Sequence, residues 1–233
     1  MSSIPENLQA VLERIRAVKI HSGREREEVA LLAVSKTFDA DAVIEAAEAG
    51  QSAFGENYLQ EALDKKRAIL AARSDLLLNW HFIGPIQSNK TRPIAENFDW
   101  VHSIEREKVA RRLSEQRPAH LPPLNVCLQV NVSGEASKSG VAPEELSALA
   151  HAVAKLPQLR LRGLMAIPEP ERDEEKQRAP FRALRGMLER LRAEGLELDT
   201  LSMGMSGDMD AAIAEGATIV RVGTAIFGKR DYA

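Results

Sequence analysis

Short apolar runs alternate with helical patterns along almost the whole chain. The first run, residues 29–34, is almost wholly apolar and ends in Ser35 and Lys36, as is typical of a parallel strand buried on both faces. A helical pattern over residues 39–49 follows, and Gly50 ends it. Strands that alternate with helices favour a parallel sheet with right-handed crossovers. The sequence therefore predicts an α/β fold.

The pattern continues to the end of the sequence and gives about eight strand–helix units. The later predicted strands are residues 53–55, 80–84, 100–102, 124–132, 159–167, 200–202 and 218–222. This number of units in a chain of 233 residues fits a closed (β/α)8 TIM barrel. An open doubly wound sheet is the alternative, but the first strand lacks the G-x-G-x-x-G turn typical of nucleotide-binding sheets. We predict a single-domain TIM barrel over residues 1–233.

Two segments lie outside the repeat. Residues 4–18 carry apolar side chains at spacings of three and four, which predicts an extra N-terminal helix that closes one end of the barrel or lies alongside it. Residues 168–178 are rich in proline and charge, and this composition predicts a long solvated loop rather than a domain linker.

Composition excludes several classes of protein. With 28% charged and 44% hydrophobic residues, the chain is neither disordered nor collagen-like, and no apolar stretch is long enough to span a membrane. The net charge of −3 argues against a nucleic-acid partner. Cys127 is the single cysteine, and the first twenty residues lack the apolar run of a signal peptide. We therefore expect a cytoplasmic protein.

Lys36 is the first candidate for chemistry, because functional groups of TIM barrels collect at the C-terminal ends of the strands. A lysine that ends a buried strand is partly desolvated, which lowers its pKa and favours the neutral amine that attacks carbonyl groups. Lys36 could therefore form a Schiff base. The alternative is a lysine whose ammonium group extends to solvent at the rim of the barrel.

Two turns of small residues follow the last two predicted strands, at residues 202–208 and 221–224. TIM barrels often bind a phosphate group at this place, through backbone N–H groups at helix N-termini. Ser206 and Thr224 could add hydroxyl donors. The alternative is that Ser206 is a helix N-cap and that the glycines serve tight turns.

Arg221 alternates with Ile219 on a buried strand, so we expect its side chain to point into the mouth of the barrel. A buried guanidinium group needs an acceptor. A ring nitrogen, carboxylate or phosphate of a ligand would serve, and so would a neighbouring acid such as Glu56.

Other polar residues give weaker signals. Asn57, with Gln60 three residues later, is typical of a helix cap. His81, His102 and Cys127 lie in apolar strands without the spacing of metal ligands, so no metal site is predicted. Lys138 follows the fifth predicted strand and is the second candidate lysine, although its loop position predicts a solvated side chain.

Several strings of residues resemble one known family. They are Leu-Ala-Val-Ser-Lys at 32–36, Phe-Gly-Glu-Asn-Tyr at 54–58, His-Phe-Ile-Gly-Pro-Ile-Gln-Ser-Asn-Lys at 81–90, Gly-Leu-Met-Ala-Ile at 163–167, Leu-Ser-Met-Gly-Met-Ser at 201–206 and Arg-Val-Gly-Thr-Ala-Ile-Phe-Gly at 221–228. In this order they resemble the pyridoxal phosphate homeostasis protein family. The lysine, the arginine and the two turns also resemble the pyridoxal-phosphate barrel of alanine racemase.

The resemblance implies pyridoxal 5′-phosphate as cofactor, held as a Schiff base on Lys36, with Arg221 facing the pyridine nitrogen. It implies that Asn57 lies beside the ring and that the phosphate is held by Ser206, Gly207, Gly223 and Thr224. An arginine at the ring nitrogen disfavours protonation there and weakens the cofactor as an electron sink. The family implies no established turnover and no catalytic residues, but a role in storing and supplying vitamin B6, possible exchange with apo-enzymes, and a monomer.

Two enzymatic functions are the alternatives. A one-base amino-acid racemase would use the same lysine and arginine, but racemisation requires two opposed bases, and we expect the barrel to use every residue, with neither Tyr58 nor Tyr232 on a second domain. A Schiff-base aldolase acting on a phosphorylated sugar would also use a lysine and phosphate turns.

Overall fold

The structure is a computed structural model that describes residues 3–133 and 139–229. Lys138 and Tyr232, both named above, lie outside the described residues. Within the described part, eight parallel strands pair in sequence order and close into a barrel. The strands are β1 (Ala30–Val34), β2 (Ala53–Glu56), β3 (Asn79–Phe82), β4 (Trp100–Ile104), β5 (Leu124–Gln129), β6 (Leu159–Met165), β7 (Thr200–Ser202) and β8 (Ile219–Val222).

The closure of the barrel rests on the pairing of the first strand with the last. Ala30 of β1 lies opposite Ile219 of β8, and Ala33 lies opposite Val222. An open sheet has no such pair, so the TIM barrel prediction is confirmed and the doubly wound alternative is wrong. The extent of the domain, residues 1–233, stays a prediction.

Helices surround the sheet, as the crossovers between parallel strands require. They are α1 (Ile4–His21), α2 (Ala40–Glu48), α3 (Leu59–Ala72), α4 (Thr91–Asn97), α5 (Glu107–Gln116), α6 (Leu146–Ala154), α7 (Glu174–Ala193), α8 (Met209–Ala214) and α9 (Thr224–Phe227), with a 3-10 turn at Ser88–Lys90. None of the described helices is long and apolar enough to cross a membrane.

The predicted N-terminal helix is α1. Ser3 and Glu6 form a capping box at its start, and its buried apolar side chains are Leu8, Val11 and Ile15. It packs against α2, α8 and α9. The amide of Asn7 donates to the carbonyl oxygen of Ile226 on α9 at 2.9 Å. Of the two predicted placements, the helix therefore takes the one alongside the barrel.

The predicted loop over residues 168–178 is too long, because α7 begins at Glu174. The Asp173 side chain accepts a hydrogen bond from the backbone N–H of Lys176 at 2.9 Å and caps this helix. Glu174 and Glu175 then lie in the first turn, where the helix dipole favours negative charge. The acidic residues that suggested a solvated loop start a helix instead.

The barrel interior contains a small cluster of apolar side chains, namely Leu32, Trp100, Cys127, Met165 and Ile219. Burial raises the pKa of the Cys127 thiol to about 12, so this group is not a nucleophile at neutral pH. A larger core lies between the sheet and the helices and includes Phe54, Phe82, Phe98 and Phe181. The two cores pack against opposite faces of the sheet and so position the residues that follow the C-terminal ends of its strands.

Candidate functional site

A cavity of about 250 Å³ lies at the C-terminal ends of the strands. Its lining includes every site residue predicted from the sequence: Lys36, Asn57, Ser206, Gly207, Arg221, Gly223 and Thr224. Val34, Ile83, Ile167 and Met205 supply the apolar part of the lining. Residues from six strand ends therefore meet in one place, and their part in binding a ligand stays a prediction.

A larger groove, about 760 Å³, lies near the N-terminal ends of β3 and β4 and is lined by Lys66, Trp80 and Phe98 among others. Burial lowers the pKa of Lys66 to about 8. Lys66 also donates to the carbonyl oxygen of Asn97 and lies 5.4 Å from the centroids of both rings. Because this groove lies away from the C-terminal ends of the strands, the smaller cavity is the better candidate for a TIM-barrel site.

Lys36 is the second residue after β1 and follows the fully buried Ser35. The next residue, Thr37, has a φ of 68°, a conformation that residues other than glycine seldom adopt. Its backbone N–H donates to Oε1 of Glu61 at 2.6 Å. The chain thus turns sharply just beyond Lys36, whose half-buried side chain lines the cavity.

A buried ionic network lies beside Lys36. The ammonium group of Lys65, on α3, donates to Oε1 of Glu56 at 2.6 Å and to the carbonyl oxygen of Ser35 at 2.8 Å. Ser35 Oγ donates to the same carboxylate oxygen at 2.7 Å. Burial raises the pKa of Glu56, and the charge of Lys65 opposes that shift. Glu56 therefore pairs with Lys65, and its suggested pairing with Arg221 is wrong.

Asn57 follows β2. Among the buried side-chain atoms of the described residues, Asn57 Oδ1 is one of two oxygens without a hydrogen-bond partner, the other being Glu56 Oε2. The helix-cap alternative for Asn57 is wrong, because Tyr58 is the N-cap residue of α3 and Gln60 donates to Asp64 at 3.0 Å. A buried amide oxygen with no partner on the cavity wall is typical of a ligand contact.

Arg221 lies on β8 and is almost completely buried, with 4% of its surface exposed. Its Nη1 donates to Ser202 Oγ and its Nη2 donates to the carbonyl oxygen of Ala166, both at 2.9 Å. Burial lowers the pKa of the guanidinium group to about 10, and the charge of Asp208 opposes that shift. Arg221 therefore stays charged at neutral pH and presents a cation at the cavity wall.

Two buried histidines extend the polar groups around Arg221 into the barrel. His102 Nδ1 lies 2.7 Å from Ser202 Oγ, and its Nε2 lies 2.8 Å from Nδ1 of His81. Burial lowers the pKa of His81 to about 3 and that of His102 well below its usual value. Both rings are therefore neutral. The sequence pattern does not predict this arrangement, because the contact between the two rings depends on packing across the barrel.

The two turns predicted to hold a phosphate close one side of the cavity. Asp208 is the N-cap residue of α8, so the N-cap alternative for Ser206 is wrong. Oδ1 of Asp208 accepts from the backbone N–H of Met205 at 2.5 Å, which shapes the turn. Gly204 has a φ of 94°, and a Cβ there would lie 2.5 Å from that of Ala212, so the turn requires glycine. Gly223 precedes α9.

Helix α1 reaches the first of these turns. Arg14 Nε donates to Asp210 at 2.9 Å, and its Nη1 donates to the carbonyl oxygen of Ser206 at 3.4 Å. The helix outside the repeat thus contacts the turn that contributes Ser206 and Gly207 to the cavity.

Comparison with known proteins identifies similar chains. The profile of the family described as alanine racemase, N-terminal domain, matches residues 7–231. The pyridoxal phosphate homeostasis protein of Pseudomonas aeruginosa is 66% identical over 232 residues, which cover 100% of this chain and 98% of that protein.

Solved structures agree with the sequence comparison. The structure of PipY from Synechococcus elongatus with PLP bound has a TM-score of 0.84 and 36% identity, and the match covers 97% of this chain and 100% of that one. An alanine racemase of Clostridium difficile shares the fold, with a TM-score of 0.74 and 16% identity, and the match covers 97% of this chain and 57% of the racemase chain.

Proposed function

The chain belongs to the alanine racemase N-terminal domain family and, within it, to the pyridoxal phosphate homeostasis proteins, and on this premise we propose that it binds pyridoxal 5′-phosphate in the cavity at the strand ends. The observation that carries the proposal is the meeting of Lys36, Arg221 and the two turns around one cavity, with the amide oxygen of Asn57 unpartnered on its wall.

The residues fit the chemistry of this cofactor. Lys36 supplies an amine for a Schiff base with the aldehyde, and Arg221 supplies a charged donor for the ring nitrogen. Ser206 and Thr224 would supply hydroxyl groups to the phosphate, and Gly207 and Gly223 would supply backbone N–H groups. The apolar contacts of Ile83 and Ile167 suit the faces of an aromatic ring.

We further propose that the protein stores and supplies the cofactor, as a cytoplasmic monomer, without turning over an amino acid. Among the described residues that line the cavity, Lys36 is the one whose side chain could act as a base, as a neutral amine, since the guanidinium group of Arg221 stays protonated. Racemisation requires a second base on the opposite face of the ring. Tyr58 does not contribute to the lining and is 55% exposed. The charge of Arg221 also disfavours protonation of the ring nitrogen.

The Schiff base is tested by reduction. The protein is mixed with an equimolar amount of pyridoxal phosphate, reduced with borohydride, digested and analysed by mass spectrometry. We expect a phosphopyridoxyl group on the peptide that contains Lys36, and its loss in Lys36→Ala.

Lys66 provides the matched control, because its pKa of about 8 makes it a chemically competitive amine outside the cavity. Lys66→Arg is expected to keep the adduct on Lys36. An adduct on Lys66 in place of Lys36, or equal labelling of wild type and Lys36→Ala, would contradict the proposed site.

The supply role needs a separate experiment. The protein loaded with pyridoxal phosphate is incubated with an apo-enzyme that requires this cofactor. In one sample a dialysis membrane separates the two proteins, and in the other they share one solution. Faster reactivation in direct contact supports transfer between the proteins. Equal rates would mean that the protein releases the cofactor into solution without contacting the recipient.

A further inference from the structure

A chain of hydrogen bonds runs from the cavity wall into the barrel interior. Arg221 Nη1 lies 2.9 Å from Ser202 Oγ, and this oxygen lies 2.7 Å from His102 Nδ1. His102 Nε2 lies 2.8 Å from His81 Nδ1. All four side chains are buried, and of the four Arg221 lines the cavity. The other three therefore act on the site through Arg221.

The positions of the hydrogens follow from counting donors. A guanidinium group has no acceptor, so Arg221 donates to Ser202 Oγ. The structure gives the Ser202 hydroxyl one other partner, His102 Nδ1, which therefore receives its hydrogen. A neutral imidazole carries one N–H, so His102 carries it on Nε2 and donates to His81 Nδ1. Each bond in the chain then points away from the cavity.

Arg221 depends on this arrangement because it has no carboxylate partner among the ion pairs within residues 3–133 and 139–229. Its described acceptors are the Ser202 hydroxyl and the Ala166 carbonyl. A hydroxyl that donates to a further acceptor becomes a better acceptor itself, since bonds in one direction polarise each other. His102 thereby strengthens the bond that holds Arg221.

Resting on the proposed function, we propose that His102 is a positioning residue for Arg221. It accepts the hydroxyl hydrogen of Ser202, so that the Ser202 oxygen faces the guanidinium group and holds it toward the ring nitrogen of the cofactor. His81 completes the chain as the acceptor for His102. The His81 ring is itself held by stacking on Trp100, with centroids 5.3 Å apart and an angle of 4° between the planes.

The first test uses the protein without cofactor. Nitrogen-15 NMR of the histidine rings reports which nitrogen carries the hydrogen. We expect His102 to be neutral with its hydrogen on Nε2, and we expect Ser202→Ala to shift the resonance of His102 Nδ1. A hydrogen on His102 Nδ1, or an Nδ1 resonance that Ser202→Ala leaves in place, would overturn the proposal.

Thr200→Val is the matched control for Ser202→Ala. Thr200 lies two residues earlier on β7, is also buried, and directs its hydroxyl to Asp199. Thr200→Val removes a hydroxyl group on the same strand that takes no part in the chain of hydrogen bonds. The His102 resonances are expected to stay in place.

The second test measures affinity for pyridoxal phosphate and the absorbance spectrum of the bound cofactor. His102→Leu removes the acceptor of the Ser202 hydroxyl and is expected to weaken binding by about tenfold and to change the spectrum, because the bond between Ser202 and the charged Arg221 loses its orientation. His102→Asn places an amide oxygen near the position of Nδ1, and we expect it to restore the wild-type spectrum and an affinity within about twofold.

Circular dichroism and cooperative unfolding establish that each variant folds. Equal spectra and affinities for the folded Leu and Asn variants would overturn the positioning role. If His102→Leu does not fold, Ser202→Ala is compared with Thr200→Val in its place. We then expect Ser202→Ala to weaken binding of pyridoxal phosphate by about tenfold and Thr200→Val to leave it unchanged. If the wild type itself does not bind the cofactor, the proposed function fails, while the NMR experiment still decides the direction of the hydrogen bonds.

Discussion

The ammonium nitrogen of Lys65 lies 2.6 Å from Oε1 of Glu56, and both side chains are almost completely buried. The ion pair joins α3 to the end of β2, and the same nitrogen also binds the carbonyl oxygen of Ser35, next to Lys36. It therefore fixes the backbone of two neighbouring strand ends from which Lys36 and Asn57 extend. Removing either partner leaves a buried charge or carboxyl group without compensation.

Lys65→Met is expected to destabilise the protein by about 3–5 kcal/mol, because it leaves the buried Glu56 carboxylate unpaired. The free energy of unfolding in urea measures the effect. Arg67→Ala is the control, since it breaks an exposed pair with Asp64 on the same helix and should cost less than about 1 kcal/mol. Equal costs for the two variants would show that the buried pair does not stabilise the fold.

The cost of Lys65→Met should also depend on pH. Burial raises the pKa of Glu56 in the folded protein, so the folded state binds more protons than the unfolded state and stability falls as pH rises through that interval. Without Lys65 the pKa of Glu56 rises further. The difference in unfolding free energy between wild type and Lys65→Met should therefore be smaller near about pH 5 than near about pH 8. A cost that grows toward acid pH would contradict this explanation.

Gly84→Ala should disturb the site through the backbone. A Cβ atom at Gly84 would lie 2.2 Å from the carbonyl oxygen of Asn57, and both groups would have to shift. We expect a loss of about 2–4 kcal/mol in unfolding free energy, the range of severe core strain, together with weaker cofactor binding.

Gly186→Ala is the control for this substitution. Nothing lies within 4 Å of its added Cβ, and Gly186 is inside α7. The alanine there should stabilise the protein by about 0.5–1 kcal/mol and leave binding unchanged. Tolerance of alanine at Gly84 would refute the contact.

Asn57→Leu should separate stability from binding. The variant removes a buried oxygen that has no partner, so the cofactor-free protein should gain about 1 kcal/mol in unfolding free energy. The same change removes the polar contact to the cofactor and should weaken its binding by about tenfold.

Asn97→Leu is the control for Asn57→Leu, and its expected effect on the unfolding free energy has the opposite sign. The amide of Asn97 donates to the carbonyl oxygen of Pro93 at 2.9 Å, so its loss should destabilise the protein and leave binding unchanged. If Asn57→Leu lowered stability as Asn97→Leu does, Asn57 would have a structural partner.

Incubation of the loaded protein with L-alanine in D₂O tests the absence of turnover. Because Lys36 is the one described lining residue whose side chain could act as a base, we expect neither D-alanine nor deuterium at the α-carbon above the level of free pyridoxal phosphate. An authentic alanine racemase serves as positive control. Exchange that Lys36→Ala abolishes would establish enzymatic activity.

The sequence predicted the barrel well because buried parallel strands and surface helices differ strongly in pattern. The lining of the cavity could be predicted equally well. Lys36, Asn57 and Arg221 each lie at or near the C-terminal end of a strand, where TIM barrels concentrate their functional residues. The start of α7 was missed because Asp, Glu and Pro suit both a solvated loop and the first turn of a helix.

The polar groups behind the site could not be predicted. His81, His102 and Ser202 come from β3, β4 and β7, and their contacts depend on side chains that meet across the barrel interior. Lys65 lies on the buried face of α3, and nothing in the sequence around it indicates that its partner is Glu56. Such pairs are set by tertiary packing and leave no periodicity in the sequence.

The pairing of β1 with β8 has a consequence for when a cofactor can be captured. Lys36 follows the first strand of the barrel and Arg221 lies on the last, so the two come together when the ring of strands closes. A chain emerging from the ribosome has Lys36 long before it has Arg221 and the second turn, and it cannot yet form the cavity. Because a ligand stabilises the state that binds it, occupancy and closure of the β1–β8 seam are linked. A ligand that contacts both Lys36 and Arg221 therefore stabilises the closed barrel.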